Sequence, residues 1–314
     1  MRETVGQRVL QYGLGILWLL DGLLQSQPLM FTTDFYALYP PNIMESLLQS
    51  ATDGQPAWLA HLMELGIRMW AYAPVLFNIG AVVLQVAIGL CLLIGRSRKF
   101  IRAGLWVSII WGIVIWIFGE GLGGLLADSP NYWDGFPGAA ALYVIGAIFL
   151  LLPDKHWHSG LAARILQAGM GMYWLAMSIF QALPSSGYWN SDALATQMAN
   201  AASLPQPHFL SAPIESFVYL TGDQPVLWNA ILTLVLLLLA AVYLSGGFSR
   251  GVLWLSMLWL FWSWWFGQDF GGIFSGMGTD FNSIPVLALF TLAAWNVDGG
   301  TAAAKPAVLK IRFR

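Results

Sequence analysis

The chain has 314 residues, of which 58% are hydrophobic and only 10% are charged. Soluble globular domains carry about 25% charged residues, so this composition argues against a water-soluble protein. The single cysteine, Cys91, excludes an internal disulfide and a cysteine-based metal cluster. We expect the lipid bilayer as the main partner of the chain, and no nucleic acid.

Long apolar segments predict an all-α integral membrane protein. About 20 apolar residues in a helix cross the hydrocarbon core, and a helix satisfies its own backbone groups inside lipid. The sequence predicts eight spans, at residues 8–26, 74–94, 101–119, 137–153, 162–183, 225–246, 250–267 and 284–297.

Basic residues favour the cytoplasmic side of a membrane, and with eight spans nearly all of them fall on one side. We therefore predict a bacterial cytoplasmic (inner) membrane protein with both termini in the cytoplasm. The outer side then holds the long loops 27–73 and 184–224, with Arg68 as its only basic residue. The cytoplasmic set is Arg2, Arg8, Arg96, Arg98, Lys99, Arg102, Lys155, Arg164, Arg250, Lys305, Lys310, Arg312 and Arg314.

The sequence also contains an internal repeat. The segment LWVSIIWGIVIWIFGEGLGG (105–124) matches LWLSMLWLFWSWWFGQDFGG (253–272) at nine of twenty positions. Four spans per half is an even number, so both halves enter the membrane the same way up. We predict two parallel four-helix repeats, 1–156 and 157–300, and a basic tail, 301–314. A duplicated bundle without a central site is the simpler alternative.

Asp21 is the most informative polar residue, because it lies more than halfway across the first span. A carboxylate there costs about 2.5–3.5 kcal/mol on insertion scales, and the matching residue of the second half is Met177. Asp21 is either a proton-linked or ligand-contacting carboxylate, or a protonated acid bonded to a neighbouring helix. Gln25 and Gln181, one turn further on in each half, are typical of amide contacts between helices.

Two glycine-rich segments, FGEGLGG and FGQDFGG, end the third span of each half. Glycine permits positive φ and close backbone approach, and irregular backbone at membrane depth survives where it is buried or lines a cavity. A solvated helix exit would give the same pattern. The predicted lining of an outward-facing pocket is Glu120, Gln268, Asp269, Glu64 and Arg68.

Tryptophan and methionine residues suggest two further ligands. The chain has 17 Trp residues, against which a flat cofactor such as a quinone could stack, although packing explains them more simply. The first outer loop offers soft ligands suited to Cu(I), although their irregular spacing favours packing. These loop residues are Met30, Met44, Met63, Met69 and His61.

The first span, GLGILWLLDGLLQSQPLMF, and the run LCLLIG before a basic turn resemble the DoxX/DoxD-like membrane families. The resemblance implies two fused four-helix units that act as the membrane subunit of a redox complex, for example in quinone-linked oxidation of sulfur compounds. Gln25 stands near a position where those families often carry a basic residue.

Two other functions fit the sequence. One is a non-catalytic scaffold whose outer loops dock an extracytoplasmic subunit, and the other is a transporter or channel for a small solute or ion between the halves. No acid–base or nucleophile constellation in the sequence indicates an enzyme that acts alone.

Overall fold

A computed structural model describes residues 3–36, 51–52, 54–127, 130–190 and 192–295. This part of the chain is all-α and contains thirteen α-helices. The predicted basic tail 301–314 lies outside the described residues, as do Arg2 and the candidate copper ligand Met44.

Six helices lie among the described residues of the first half of the chain. Thr4 caps the start of α1, because its side-chain oxygen accepts the backbone N–H of Gln7. Ser97 caps the start of α5 in the same way through Phe100 N–H, as N-capping residues commonly do. The helices are α1 (Val5–Gln25), α2 (Thr33–Tyr36), α3 (Ala57–Tyr72), α4 (Pro74–Ile94), α5 (Arg98–Phe118) and α6 (Ala139–Leu151), with a short 3-10 segment at Gly121–Gly124.

Seven more helices follow between residues 154 and 295, the part of the second half that the structure describes apart from residue 191. Ser249 caps α12 through Val252 N–H as Ser97 caps α5. The helices are α7 (Asp154–His158), α8 (Leu161–Ala182), α9 (Ala193–Ala202), α10 (His208–Asp223), α11 (Pro225–Leu244), α12 (Arg250–Gln268) and α13 (Ser283–Ala294), with a second 3-10 segment at Asp269–Gly272.

Each of the eight predicted spans coincides with a helix, but the helices differ in length and polarity. Within the described residues, α4, α5 and α11 are long and apolar enough to cross a membrane, whereas α6 and α13 are shorter apolar helices. At 1.5 Å per residue, a 12-residue helix is only about 18 Å long. The long helix α1 has a lower mean hydropathy because its buried face carries polar side chains, among them Gln11 and Asp21.

Two long helix pairs and a central short helix organise the packing. Helix α1 packs along α4, and α8 packs along α11. Helix α13 contacts α1, α6, α8 and α12, and its residues Ile284, Leu287 and Phe290 are buried. An apolar helix of this kind belongs in the interior, which explains why α13 is hydrophobic.

The outward faces of α4, α5 and α11 are apolar. Leu76, Ile110 and Leu238 are 68%, 63% and 56% exposed to the surroundings of the chain. Large contiguous apolar surfaces of this kind mark contact with a membrane or a partner. The helices are therefore consistent with contact with a lipid bilayer.

Candidate functional site

The centre of the candidate site is a hydrogen bond between the buried faces of two helices. Asp21 on α1 is 2% exposed, and Tyr143 on α6 is 3% exposed. The Tyr143 hydroxyl donates to Asp21 Oδ2 over 2.5 Å. Asp21 Oδ1 has no partner of strict hydrogen-bond geometry among the described residues, although the backbone N–H of Phe281 lies close to this carboxyl group. Asp21 is thus bonded to a neighbouring helix and contacts the segment before α13.

Glu120 lies beside this pair, at the beginning of α6. Both of its carboxylate oxygens accept the backbone N–H of Ala140, over 3.1 and 3.3 Å. A negative charge is favoured there by the unpaired N–H groups and the dipole of the helix. Gly138 makes room for the carboxylate, because a Cβ at that position would lie 2.2 Å from Glu120 Oε2.

A third acid, Asp280, reaches the same region from the segment before α13. Asp280 Oδ1 accepts the backbone N–H of Asn282 over 2.6 Å, and its Oδ2 accepts the hydroxyl of Thr279 over 3.1 Å. Burial raises the pKa of Asp280. Burial, with the nearby charge of Asp280, also raises the pKa of Glu120 to about 8, although the Ala140 and Ala139 N–H groups act in the opposite direction.

We name Asp21, Tyr143, Glu120 and Asp280 the acidic centre. Asp280 and Glu120 both act electrostatically on Asp21. Like charges held close together in a poorly hydrated site cannot all ionise, so the acidic centre holds at least one proton near neutral pH. Across the described residues, no group of three or more His, Cys, Asp or Glu residues could hold a metal ion. The chemistry that this arrangement offers is proton uptake and release.

The predicted amide residues Gln25 and Gln181 each bond to an asparagine. Gln25 Nε2 donates to Asn78 Oδ1, and Gln181 Nε2 donates to Asn229 Oδ1 over 2.8 Å. Gln181 Oε1 also accepts the Trp133 indole N–H over 3.0 Å. These contacts join α1 to α4 and α8 to α11, as expected for structural amides in helices.

Gln268 and Asp269 lie at the end of α12. Gln268 Nε2 donates to the Ser283 hydroxyl at the beginning of α13 over 3.0 Å. Asp269 is buried and adopts a left-handed backbone conformation, with φ of 42°. Burial raises the pKa of Asp269 to about 6, against the opposing effect of the Gln206 side chain.

Glu64 and Arg68 form an exposed pair on α3. Their carboxylate and guanidinium atoms are 3.9 Å apart, and the side chains are 54% and 80% exposed. Such surface pairs typically contribute less than about 1 kcal/mol. They do not contribute to the acidic centre, because the charges that act on Asp21 come from Asp280 and Glu120.

The methionine residues of the first outer loop do not share one environment. Met30 and Met63 are completely buried, whereas Met69 is 56% exposed on α3. Met30 and Met63 lie in the apolar interior, which is the ordinary role of this flexible side chain.

No family model, curated protein or solved structure matches this chain significantly. The resemblance to the DoxX/DoxD-like families therefore stays a prediction. The chemistry of the site has to be inferred from the chain's own residues.

Two residues of the acidic centre, Tyr143 and Asp280, were not among the predicted site residues. Tyr143 is a hydroxyl-bearing residue in an otherwise apolar segment, AALYVIG, and buried tyrosine hydroxyls usually find a partner. This signal could have identified Tyr143. Asp280 carried no such signal, because it resembles the other acids of the predicted outer side.

Proposed function

We propose that this chain is an eight-span integral membrane protein built from two parallel four-helix repeats. Equivalent hydrogen bonds in the two halves support the repeat. Gln11 donates to the Leu92 carbonyl over 2.9 Å, and its counterpart Gln167 donates to the Tyr243 carbonyl over the same distance. Near the end of α5, the Trp116 indole N–H donates to the Pro137 carbonyl over 2.8 Å. Near the end of α12, the Trp264 indole N–H donates in the same way to the Phe281 carbonyl over 2.9 Å.

Contacts between connecting segments support the proposed orientation. Arg98, at the start of α5, bonds to Asp154, at the start of α7. The Gln7 side chain near the amino terminus donates to the same aspartate over 3.4 Å. The amino terminus and two of the basic connections therefore lie at one end of the bundle, which the distribution of Lys and Arg assigns to the cytoplasm.

The function that we propose is proton handling in the membrane subunit of a quinone-linked redox complex of a bacterial inner membrane. The observation that carries it is the bond from Tyr143 to Asp21 inside the bundle, with Glu120 and Asp280 close enough to influence each other's ionisation. Quinone reduction consumes protons, and positioned acids can supply them. An intramembrane carboxylate of this kind is by default a functional group.

The test compares quinone reduction by membrane vesicles that carry the wild-type chain, Asp21→Asn or Glu64→Gln in a deletion strain. Asp21→Asn preserves the size of the side chain and its acceptor for Tyr143, but removes the titratable group. We expect a loss of roughly tenfold or more, since general acid–base groups contribute about 10²–10⁴-fold. Glu64→Gln alters an exposed acid and serves as the control, with activity equal to wild type.

The same strains separate this role from a scaffold. Co-purification of the other subunits is measured with each variant. If the deletion abolishes quinone reduction but Asp21→Asn restores it completely, the chain is a scaffold. Quinone reduction that is unaffected by the deletion contradicts any redox role.

A proton-linked transporter is the second candidate, because the acidic centre combines residues from both proposed halves. Asp280 belongs to the second half, whereas Asp21, Glu120 and Tyr143 belong to the first. Transporters with repeats often bind their substrates between the halves. Purified protein in liposomes that contain a pH-sensitive dye would dissipate an imposed pH gradient if this candidate is correct, and Asp21→Asn would abolish that leak.

A further inference from the structure

Helix α3 runs across one end of the helix bundle. Gly66, in the middle of α3, packs on Phe118, the last residue of α5, because an added Cβ would lie 2.6 Å from Phe118 Cδ1. At its other contact point α3 ends at Tyr72, and α4 begins at Pro74, with Ala73 alone between them. Since α4 and α5 are consecutive and packed together, the start of α4 and the end of α5 lie at the same end of the bundle. Helix α3 therefore lies at the level where these two long apolar helices end.

The surface of α3 is divided into three faces. One face packs on the protein and includes Leu59 and Met63, which are completely buried. The second face consists of exposed apolar side chains that are separated by seven, four and three residues, which places them on one side of a helix. We name this face the apolar stripe, and its residues are Trp58, Leu65, Met69 and Tyr72, with exposed fractions of 59%, 53%, 56% and 91%. The third face, beside the stripe, is exposed and polar, and its residues are His61, Glu64 and Arg68.

This division is typical of a helix at a boundary between an apolar phase and water. A surface helix in water has one apolar face, the one that packs on the core, whereas α3 has a second apolar face that the protein does not cover. Contiguous exposed apolar surface marks contact with a membrane or a partner. Two of the four stripe residues, Trp58 and Tyr72, are of the types that concentrate at the membrane–water interface.

The apolar stripe is continuous with the outward face of α4. Tyr72 precedes the exposed residues Leu76 and Phe77 of the first turn of α4, which are 68% and 44% accessible. The chain has no charged residue between Arg68 and Arg96. The apolar surface that α4 presents to its surroundings thus extends onto α3 without a charged interruption, which favours the same lipid occupant for both surfaces over a separate protein partner.

The second half lacks this stripe. Helix α10 is the counterpart of α3 in the register that aligns the Gln-Pro pairs before the two helices. In this register Ser216 replaces Leu65 and Asp223 replaces Tyr72, and both replacements are exposed. The apolar stripe is therefore a property of α3, and the repeated helix does not require it for packing.

We propose that α3 lies in the outer interface of the bilayer, with the apolar stripe among the upper acyl chains and the polar face in the headgroup layer. Helices of this kind bury their apolar face about 5–10 Å into the boundary between headgroups and acyl chains. The occupant of the stripe is thus a phospholipid leaflet. The inference rests on the proposed bilayer topology and is independent of the proposed proton handling.

Single cysteines labelled with the environment-sensitive fluorophore NBD test this position. In a Cys91→Ser background, Leu65→Cys places the label on the apolar stripe and Glu64→Cys places it on the adjacent polar face. Each labelled full chain is reconstituted into phosphatidylcholine vesicles with and without a nitroxide on the upper acyl chain of the lipid. We expect the nitroxide to quench the label at 65 at least about twofold more strongly than the label at 64, and the emission at 65 to lie at shorter wavelength.

Two further labels serve as controls. Leu76→Cys on α4 is the positive control for lipid contact, and Ser216→Cys on α10 is the matched position of the second half, where we expect weak quenching as at 64. Quenching at 76 but not at 65 overturns the inference and leaves the bilayer spans intact. Equal quenching at 64 and 65 also overturns it. Absence of quenching at 76 contradicts the bilayer spans themselves, and the inference fails with them.

Discussion

The hydroxyl of Tyr143 donates a 2.5 Å hydrogen bond to the carboxyl of Asp21, and both side chains are buried. The bond joins α1 to α6 in the interior of the first half. In the second half, Asp21 corresponds to Met177, so the matching position has no carboxyl group. A carboxyl group at this position is therefore found in the first half only, and the second half contributes Asp280 to the acidic centre instead.

Loss of the Tyr143 hydroxyl should destabilise the fold. Tyr143→Phe leaves Asp21 buried without its donor, and an unsatisfied buried group costs about 1–3 kcal/mol. The measurement is the free energy of unfolding in detergent. Tyr243→Phe is the matched control, because it removes a neutral bond to the Thr291 hydroxyl at 3.2 Å and should cost about 0.5–1.5 kcal/mol. A smaller effect of Tyr143→Phe than of Tyr243→Phe would contradict this account.

Glu120 should make stability depend on pH. Its pKa is raised from an ordinary 4.5 to about 8 by burial and by Asp280. Between these pH values the folded chain holds a proton that the unfolded chain has lost, so the free energy of unfolding falls as pH rises from about 4.5 to about 8. Below that window the contribution of Glu120 is complete, and above it the contribution is lost.

The measurement is the unfolding temperature of wild type and Glu120→Gln across this range. The variant should have a flatter profile, because its side chain does not titrate. Glu64→Gln, on the exposed face of α3, should keep the wild-type slope. If the unfolding temperatures of wild type and Glu120→Gln change with pH by the same amount, Glu120 does not cause the pH dependence.

Gly138 should be intolerant of a side chain. It has φ of 98°, and an added Cβ would lie 2.2 Å from Glu120 Oε2. Gly138→Ala is therefore expected to cost about 1–3 kcal/mol and to displace the carboxylate from the start of α6. Gly169→Ala is the control, because a Cβ there meets nothing within 4 Å and helical alanine is preferred to glycine by about 0.5–1 kcal/mol. Equal stability of the two variants would be evidence against the contact between Glu120 and the start of α6.

Single cysteines should report the proposed orientation. In a Cys91→Ser background, Lys99→Cys and Ser245→Cys lie in or beside connections of the proposed cytoplasmic side, and Thr32→Cys and Ser185→Cys lie on the other side. A membrane-impermeant maleimide added to intact cells should label only the second pair. Labelling of residue 99 but not of residue 245 would disprove the parallel arrangement of the halves.

The positions of the helices could be predicted from hydropathy, since a helix forms at each predicted span. Hydropathy also predicted that the last span, 284–297, is short, but it could not predict the exact starts of α6 and α13, because these depend on backbone turns. Gly138 and Asn282, immediately before these helices, have φ of 98° and 61°. A run of apolar residues also gives no measure of whether lipid or protein surrounds it, and α13 is surrounded by other helices.

The candidate site could be predicted only in part. Asp21 was identifiable because a carboxylate in an apolar run is costly, and Glu120 because it belongs to a glycine-rich exit. The exposure of the Glu64 and Arg68 pair depends on where α3 packs. Sequence spacing does not supply that information, since α3 itself lies within the predicted outer loop 27–73.

The late position of Asp280 has a consequence for biosynthesis. Asp21 emerges from the ribosome early, whereas Asp280 and α13 are synthesised near the end of the chain. Under the proposed topology, the first helix therefore carries its carboxyl group into the membrane before its neighbours from the second half are present. Insertion then has to tolerate an incompletely paired acid until α13 is made, and truncation before α13 would leave Asp21 permanently without Asp280 beside it.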